Sequence, residues 1–306
     1  MRTPVPEYLS ELLDAVREKD GGAVADYIPE LAKADPGLFG VALTTVDGRT
    51  YSAGDDEHEF SIQSISKPFA YAAALTDRGV EEIMSKVSVE PSGEAFNELS
   101  LERGTNRPKN PMINAGAMAV HSLLMNPEAS LEERAAHTVE FFSRLAGREL
   151  QMDEEVFRSE LETTDRNMAL AHMLRNYGMF EEHAHNVVAG YVAQCAIRVT
   201  VRDLAIMGAT LANGGVQPST GERVCSPEVA RQVLAVMVWL LERRRRTWPV
   251  TCCGCSRCCV GAVCRRTTSR GRCSRRCCAP WWPTTRRRTR ASGRCAASPS
   301  TTRTRA

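Results

Sequence analysis

The last 64 residues of this 306-residue chain lack eleven amino-acid types. Residues 243–306 contain no Asp, Glu, Lys, Leu, Ile, Phe, Tyr, Met, Asn, Gln or His, yet they hold 18 Arg and 10 of the 12 Cys residues. The loss of Leu, Ile, Phe and Met removes the apolar set from which a core is built. We therefore expect a disordered tail that forms mixed disulfides and attracts polyanions.

Residues 1–242, in contrast, are poor in cysteine and in positive charge. They contain only Cys195 and Cys225, which argues against a disulfide framework and favours a reducing compartment. Their 21 basic and 37 acidic side chains give a net charge of −16, against +18 for the tail, so the whole-chain value of +2 describes neither part. The acidic body argues against specific nucleic acid binding.

Long apolar runs are absent as well. No stretch approaches the roughly 18 apolar residues of a membrane span. The N-terminus, which has Glu7 close to its start, lacks the apolar run of a signal peptide. We expect a cytoplasmic protein that does not bind membranes. Its folded part is expected over residues 1–242, which is long enough for one large domain or two small ones.

Apolar periodicity and turn signals predict a helix-rich body with one early β-hairpin. The hairpin strands are predicted at residues 39–45 and 49–53, around the turn Asp47-Gly48. Because a lone hairpin is marginally stable, either helices cover it or it pairs with later strands. The predicted helices cover residues 6–19, 65–75, 130–147 with a capping box of Ser130 and Glu133, 154–177 with a break at Thr163-Thr164, 200–211 with Thr200 and Asp203 as caps, and 226–237.

Ser64 and Lys67 form an S-x-x-K pair in the segment FSIQSISK at residues 60–67. If a helix begins near Ser64, one turn separates the two side chains and both point the same way. Burial lowers the pKa of a lysine, which lets its amine accept the proton of a serine hydroxyl. Two fixed positions also recur by chance in many chains, so the spacing alone favours a capped helix with a solvated lysine over a catalytic pair.

Further sequence blocks surround this pair in a fixed order. They are ADYIP at 25–29, VEPSGEAFN at 89–97, NPMINAGA at 110–117, SE at 159–160, RN at 166–167, GY at 190–191, QC at 194–195, and TVRDLA and GATLANGG between 200 and 215. On these blocks the chain resembles the bacterial serine-dependent glutaminases, from about residue 5 to about residue 237. The resemblance implies a β-lactamase/transpeptidase-like α/β (α+β) fold, with a helical domain and an antiparallel sheet.

The resemblance implies that this chain hydrolyses L-glutamine to L-glutamate and ammonia through a serine-linked glutamyl ester. Ser64 is the implied nucleophile, Lys67 is its general base, and Tyr27 lies near this pair and relays protons. The backbone N–H of Ser64 is the first implied donor to the oxyanion, and a strand near the C-terminus supplies the second. No metal or organic cofactor is implied, and the family suggests a homodimer or homotetramer.

Four further residues are implied to hold the substrate together with Ser64: Asn114, Glu160, Asn167 and Tyr191. A carboxylate suits the ammonium of a free amino acid, while amides and a phenol satisfy its other polar groups. Glu160 and Asn167 are seven residues apart and share a face if their helix is continuous. Taken alone, each has a structural explanation: a solvated charge for Glu160, a helix cap for Asn167, a packing residue for Tyr191 and a turn for Asn114.

The resemblance ends after Met237. The family continues with a tyrosine-bearing segment, a Lys-Ser-Gly motif and the remaining strands of the sheet, and we expect this chain to lack those strands. Our hypothesis is that a reading-frame shift near codon 238 produced residues 243–306. Zinc binding at Cys255 and Cys258 is disfavoured because the tail has no histidine, and its arginines favour phosphates without sequence specificity.

Three alternatives to an active glutaminase remain open at this point. The chain is a β-lactamase or penicillin-binding relative of the same fold, a catalytically dead or misfolded glutaminase fragment with a frameshifted basic tail, or a basic nucleic-acid-binding protein. The blocks around Asn114, Glu160 and Asn167 disfavour the first. The absence of the family's later strands favours the second.

Overall fold

The computed structural model describes residues 4–17 and 22–247. The tail predictions, including disorder, the Cys255–Cys258 pair and phosphate contacts of the arginines, fall almost entirely outside these residues. They stay predictions, as do the frameshift origin of the tail, the homo-oligomeric state and the cytoplasmic location.

The described residues form nine α-helices and four short strands. The strands are β1 (Gly40–Thr44), β2 (Thr50–Gly54), β3 (Phe60–Ser61) and β4 (Arg198–Val199). The helices are α1 (Val5–Arg17), α2 (Ser66–Lys86), α3 (Asn114–His121), α4 (Leu131–Ala146), α5 (Glu154–Glu162), α6 (Asp165–Asn176), α7 (Ala184–Cys195), α8 (Val201–Ala212) and α9 (Pro227–Thr247). The predicted helix-rich body is therefore confirmed.

Local capping signals fix several of the helix ends. Both predicted capping boxes form, with Ser130 accepting from the Glu133 N–H at α4 and Thr200 accepting from the Asp203 N–H at α8. The chain leaves α4 through Gly147 at φ 73°, a left-handed conformation that favours glycine. Ser226 accepts from the Val229 N–H and begins α9. These ends were predictable because a few neighbouring residues determine them.

Other helices differ from the sequence prediction. α3 and α7 were not predicted as helices, and α2 continues to Lys86 across a kink at Gly79. α9 runs to Thr247, so the predicted domain boundary at residue 242 falls within a helix. The predicted break at Thr163-Thr164 is confirmed, because α5 ends at Glu162 and α6 begins at Asp165.

The predicted hairpin is also confirmed. β1 and β2 pair antiparallel, with Gly40 opposite Gly54 and Thr44 opposite Thr50. Helix α8 packs against β1 and helix α1 against β2, so helices cover the hairpin. In the part of the chain that the structure describes, this sheet has two strands, and β3 and β4 form a second two-stranded sheet.

Two apolar clusters hold the helices together. The larger one joins α2, α4, α8 and α9 and includes Phe69 and Phe142, whose ring centroids lie 5.9 Å apart in an edge-to-face arrangement. The other joins α3, α6 and α7 around Met118 and Leu174. Because α2 packs directly on α3, the two clusters meet at the helices that carry the candidate site.

Two cysteines and no membrane-spanning helix are found in the described part of the chain. Cys195 and Cys225 are both buried free thiols, in agreement with the expected absence of a disulfide framework in the body. Among the helices of residues 4–17 and 22–247, none combines the length and the apolar content that a membrane crossing needs.

Phe142→Ala is expected to lower the free energy of unfolding by about 3–5 kcal/mol, because it empties a fully buried ring site and removes the contact with Phe69. Urea unfolding followed by circular dichroism measures the change. Tyr8→Ala, at a side chain that is 62% exposed, serves as control and should stay within about 0.5 kcal/mol of the wild type. Equal effects of the two substitutions would contradict the assignment of Phe142 to the core.

Candidate active site

Ser64 and Lys67 lie at the junction between strand β3 and helix α2. A 3₁₀ turn, Gln63–Ile65, follows β3 and leads directly into α2 at Ser66. Ser64 is exposed, whereas the Lys67 side chain is almost fully buried at 3%. The S-x-x-K pair thus presents a hydroxyl at the surface with a lysine buried one turn further along the chain.

Gln63, the residue before Ser64, has an unusual backbone conformation. Its φ is 48°, a left-handed value that is uncommon for a residue other than glycine. Its side-chain amide donates to Glu160 Oε2 and to Ser61 Oγ, at 3.3 Å each. The sequence reasoning gave Gln63 no role, although its position next to the candidate nucleophile was a signal. The structure makes it the link between Ser64 and Glu160.

A line of hydrogen bonds runs from Lys67 through two of the predicted substrate residues. Lys67 Nζ donates to Asn114 Oδ1 at 2.7 Å, and Asn114 Nδ2 donates to Asn167 Oδ1 at 2.9 Å. Asn167 Nδ2 in turn donates to Thr164 Oγ1 at 3.0 Å. Each amide accepts with its oxygen and donates with its nitrogen, so the line has a fixed direction.

Tyr191 joins this line from helix α7. Its hydroxyl donates to Asn114 Oδ1 at 3.4 Å, and Ser64 lies near enough to lower the pKa of the phenol, against the larger effect of burial. Burial of the side chain, which is 2% exposed, raises the pKa of Tyr191 well above its usual value, so the phenol stays neutral and keeps its proton. Tyr191 therefore donates its proton to the asparagine of the lysine–asparagine pair from a position near Ser64.

Two aromatic rings lie beside the buried lysine. Lys67 Nζ is 5.4 Å from the centroid of Phe96 and 5.9 Å from that of Tyr191, distances at which a ring face attracts a cation. Phe96 was not singled out from the sequence, although it belongs to the block at residues 89–97. Its backbone carbonyl also accepts from the Asn114 N–H at 2.8 Å, which fixes the start of α3.

The carboxyl group of Glu160 has a strongly shifted pKa. Burial, which leaves it 7% exposed, raises its pKa to about 7 despite the Gln63 hydrogen bond and the charge of Lys67, which both lower it. The carboxyl is therefore about half ionised at neutral pH. A cationic ligand beside it would favour the carboxylate form.

Glu160 and Asn167 do not share a face of one helix. A shared face was expected only for a continuous helix, and that condition is not met because Glu160 lies in α5 and Asn167 in α6. The break between these helices puts Thr164 where it accepts from Asn167. Both residues still reach the same region, Glu160 through Gln63 and Asn167 through Asn114.

Tyr27 lies at the exposed margin of this region. Its side chain is 68% exposed, and its pKa is raised by partial burial and by the negative charge of Glu160. The structure thus places Tyr27 within electrostatic reach of Glu160. Its predicted proton relay to Ser64 and Lys67 stays a prediction.

The assembled groups suit a small molecule with a positive charge, a carbonyl carbon open to attack and further polar atoms. Ser64 offers a hydroxyl, Lys67 a nitrogen that can carry a proton, and Glu160 a carboxylate. Within residues 4–17 and 22–247, no group of three His, Cys, Asp or Glu side chains could hold a metal ion. No strand follows β4 in the same residues, so the expected second oxyanion donor has no counterpart there.

Known sequences with the same pattern are glutaminases. The sequence model of the Glutaminase family matches residues 22–240. A glutaminase of Corynebacterium efficiens is 56% identical over 234 residues, which are 76% of this chain and 55% of that protein. A glutaminase of Clavibacter michiganensis subsp. michiganensis is 49% identical over 229 residues, which are 75% of this chain and 70% of that protein. This chain spans about half the length of the first relative.

Solved structures agree with these sequence matches. Mglu in its glutamate form superposes with a TM-score of 0.75 at 56% identity, over 78% of this chain and 55% of that chain. A probable glutaminase from Bacillus subtilis, complexed with 6-diazo-5-oxo-L-norleucine, gives a TM-score of 0.69 at 32% identity, over 78% of this chain and 73% of that chain. These structures have the β-lactamase-like fold, so the predicted fold class is confirmed.

Glu160→Gln is expected to stabilise the protein at alkaline pH. Because folding raises the pKa of Glu160 from its ordinary 4.5 to about 7, the folded chain binds this proton more tightly than the unfolded chain does. Its contribution to stability is full below pH 4.5 and is lost as the pH rises through 7. The substitution removes that loss, so we expect a gain of about 1–2 kcal/mol at pH 8 and little gain at pH 4.5.

Urea unfolding at both pH values measures this difference. Glu162→Gln, at an exposed position of the same helix, is the matched control and should show no such pH-dependent gain. Equal destabilisation by Glu160→Gln at pH 4.5 and pH 8 would contradict a buried carboxyl that resists ionisation.

Proposed function

The chain belongs to the glutaminase family, and from this premise we propose that it hydrolyses the γ-carboxamide of L-glutamine through an ester on Ser64. The observation that carries the proposal is the buried hydrogen-bonded cluster of Lys67, Asn114 and Tyr191, which we call the site cluster. Its tyrosine lies near Ser64, which lowers the pKa of the phenol against the larger effect of burial. A serine hydroxyl is a weak nucleophile, and such a cluster can remove its proton during the attack.

The acylation step uses the free amine form of Lys67. The amine accepts the Ser64 proton while Oγ bonds to the carboxamide carbon, and the proton then passes to the departing nitrogen, which leaves as ammonia. The phenol of Tyr191, which burial keeps neutral, is proposed to help pass this proton between the serine and the leaving group. In the second step a water molecule gives a proton to the amine, attacks the ester and restores the Ser64 hydroxyl as glutamate leaves.

The remaining residues are proposed to orient the amino-acid end of the substrate. The carboxylate of Glu160 binds the ammonium, and Gln63 holds that carboxylate beside the serine. The amides of Asn114 and Asn167 already hydrogen bond to each other, so they form a rigid polar wall for the remaining groups of the substrate. A substrate without an ammonium would leave Glu160 without its partner.

Stabilisation of the oxyanion separates this proposal from its main alternative, a glutaminase body without turnover. Among the described residues the backbone N–H of Ser64 is the proposed donor, and no strand after β4 offers the second. Loss of one such donor typically lowers kcat by about 10²–10³-fold. We therefore expect slow turnover, and an absence of turnover supports the alternative.

Ser64→Ala is expected to lower the release of ammonia from L-glutamine by at least about 10³-fold, because it removes the nucleophile. A coupled assay for ammonia and glutamate on the purified full-length chain measures the rate. Ser85→Ala, at an exposed serine of the helix α2 that follows Ser64, is the control and should retain the wild-type rate. Turnover that survives in Ser64→Ala would exclude Ser64 as the nucleophile.

The same purified proteins also test the two alternative hypotheses, a β-lactamase relative and an inactive glutaminase body. A chromogenic β-lactam assay beside the glutamine assay would reveal a β-lactamase relative. Ammonia release in neither the wild type nor Ser85→Ala, with both proteins folded, would identify an inactive glutaminase body.

The pH dependence of kcat/KM tests the role of Glu160. Because its pKa in the free enzyme is about 7, the fraction of carboxylate falls about tenfold for each pH unit below that value. We expect kcat/KM for L-glutamine to fall with the same slope between pH 6 and pH 5. Glu160→Gln should lower kcat/KM at pH 8 by about 10²-fold and remove this acidic limb, while Glu162→Gln should retain it.

A further inference from the structure

A second set of buried polar side chains lies on the three helices that carry the site cluster. Helices α2, α3 and α7 supply Lys67, Asn114 and Tyr191 to the site. The same helices supply three side chains that are each no more than 1% exposed and that the proposed reaction does not use. These are Ser66, His121 and Gln194, which we call the support cluster.

Gln194 is the centre of the support cluster. Its Nε2 donates to Ser66 Oγ at 2.9 Å and thereby joins α7 to α2. Gln194 also contacts His121 of α3 closely enough to raise the pKa of the imidazole, although neither ring nitrogen nor Gln194 Oε1 has a hydrogen bond of normal geometry among the described residues. A buried donor and a buried acceptor in contact are strongly favoured to pair with each other.

The imidazole of His121 is suited to donate in this pair. Its complete burial lowers the pKa to about 4, so the ring is neutral at pH 7 and carries one N–H. The ring also lies directly against Gly190 of α7, where a Cβ would be 2.0 Å from Nε2. A side chain at position 190 would displace the ring. Because glycine has no side chain, α3 and α7 can approach each other at this point.

The residues of the support cluster are close to those of the site cluster, both in sequence and in space. Ser66 directly precedes Lys67, and Gln194 follows Tyr191 by three residues, which places the two on the same side of α7. Cys195 lies near both clusters, because its Sγ is 4.0 Å from Ser66 Oγ and because Tyr191 is close enough to lower the pKa of its thiol, against the larger effect of burial. A change at the support cluster therefore acts on the site within one helical turn.

We propose that Gln194 is a positioning residue, whose carboxamide accepts from the ring N–H of His121 and donates to Ser66. These two bonds fix α2, α3 and α7 relative to one another and so set the distances within the site cluster. The inference rests on the proposed glutaminase reaction, in which those distances decide proton transfer. A misplacement of about 1 Å at a reacting group lowers a rate by about 10²-fold.

Gln194→Met tests the proposal because methionine keeps the length of the side chain and removes both hydrogen bonds. In the full-length chain we expect kcat for L-glutamine, per folded molecule, to fall about 10–100-fold while KM changes less than about twofold. KM is expected to change less than kcat because Glu160, which is proposed to bind the ammonium, and Asn167 lie on α5 and α6, and Asn114 is the one residue of the proposed polar wall that lies on the three helices. A normal kcat per folded molecule would overturn the proposal.

Gln217→Met is the matched control. Gln217 is also 1% exposed, and its Oε1 accepts from the backbone N–H groups of Ser219 and Thr220, in a loop outside both clusters. Its substitution should destabilise the protein and leave kcat per folded molecule unchanged. An equal fall of kcat in Gln217→Met would show that general loosening, and not positioning, lowers the rate.

A double-mutant cycle tests the Gln194–His121 contact without any need for activity. Gln194→Met and His121→Phe each leave a buried partner unpaired, so each should raise the unfolding constant in urea by about tenfold or more. The double substitution removes both groups and should unfold no more readily than the worse single variant. If the unfolding constant of the double variant rises by the product of the two single effects, the proposed hydrogen bond is refuted.

Labelling of Ser64 by a fluorophosphonate, followed by intact mass, separates this inference from the proposed function. A wild-type chain that is labelled but releases no ammonia would refute the function, and an unchanged labelling rate in Gln194→Met would then refute the positioning role. A lower labelling rate in Gln194→Met than in Gln217→Met would support it. If Ser64 of the folded wild type is not labelled by the fluorophosphonate and the protein releases no ammonia from L-glutamine, both the positioning role of Gln194 and the proposed function are refuted.

Discussion

The burial of Lys67 is the constraint on which the rest of the site depends. Moving an ammonium out of water costs several kcal/mol unless other groups replace its hydration. Here the replacement comes from the carbonyl oxygen of Asn114 and from the faces of Phe96 and Tyr191. These groups come from different parts of the chain, so a single buried nitrogen requires α3, α7 and the loop at residue 96 to meet beside α2.

Small residues allow the helices around Lys67 to pack closely against one another. A Cβ at Gly116 would lie 1.9 Å from the carbonyl oxygen of Asn110, and one at Gly190 would collide with His121. On α2 the residues that follow Phe69 include a run of buried alanines, which keeps its neighbours close. Close packing of the backbones lets short polar side chains such as Ser66 and Asn114 span the space between helices. The chain therefore uses its glycines and alanines to bring functional groups within hydrogen-bonding distance.

The sequence predicted those parts of the fold that few neighbouring residues determine. The Ser130 and Thr200 capping boxes and the Asp47-Gly48 turn each depend on local bonds, and each was found. Helices α3 and α7 were missed because they are buried on all sides and have no polar face to reveal a period. The site residues could be named only through the family resemblance, since their contacts join positions that are far apart in sequence.

The described residues include all the groups proposed to bind glutamine. They include only one of the two donors proposed to stabilise the transition state. Binding depends on side chains of helices, and Glu160, Asn167 and Asn114 are all held by bonds within residues 22–240. Stabilisation of an oxyanion depends on backbone N–H groups whose positions the sheet determines, and here the hairpin β1–β2 has two strands among those residues. Because only interactions that strengthen in the transition state raise kcat, affinity for glutamine and turnover are separable parts of the proposed function. The proposed support cluster belongs mainly with turnover, since it would act on the geometry of Lys67, Asn114 and Tyr191 and not on Glu160, the residue proposed to bind the ammonium.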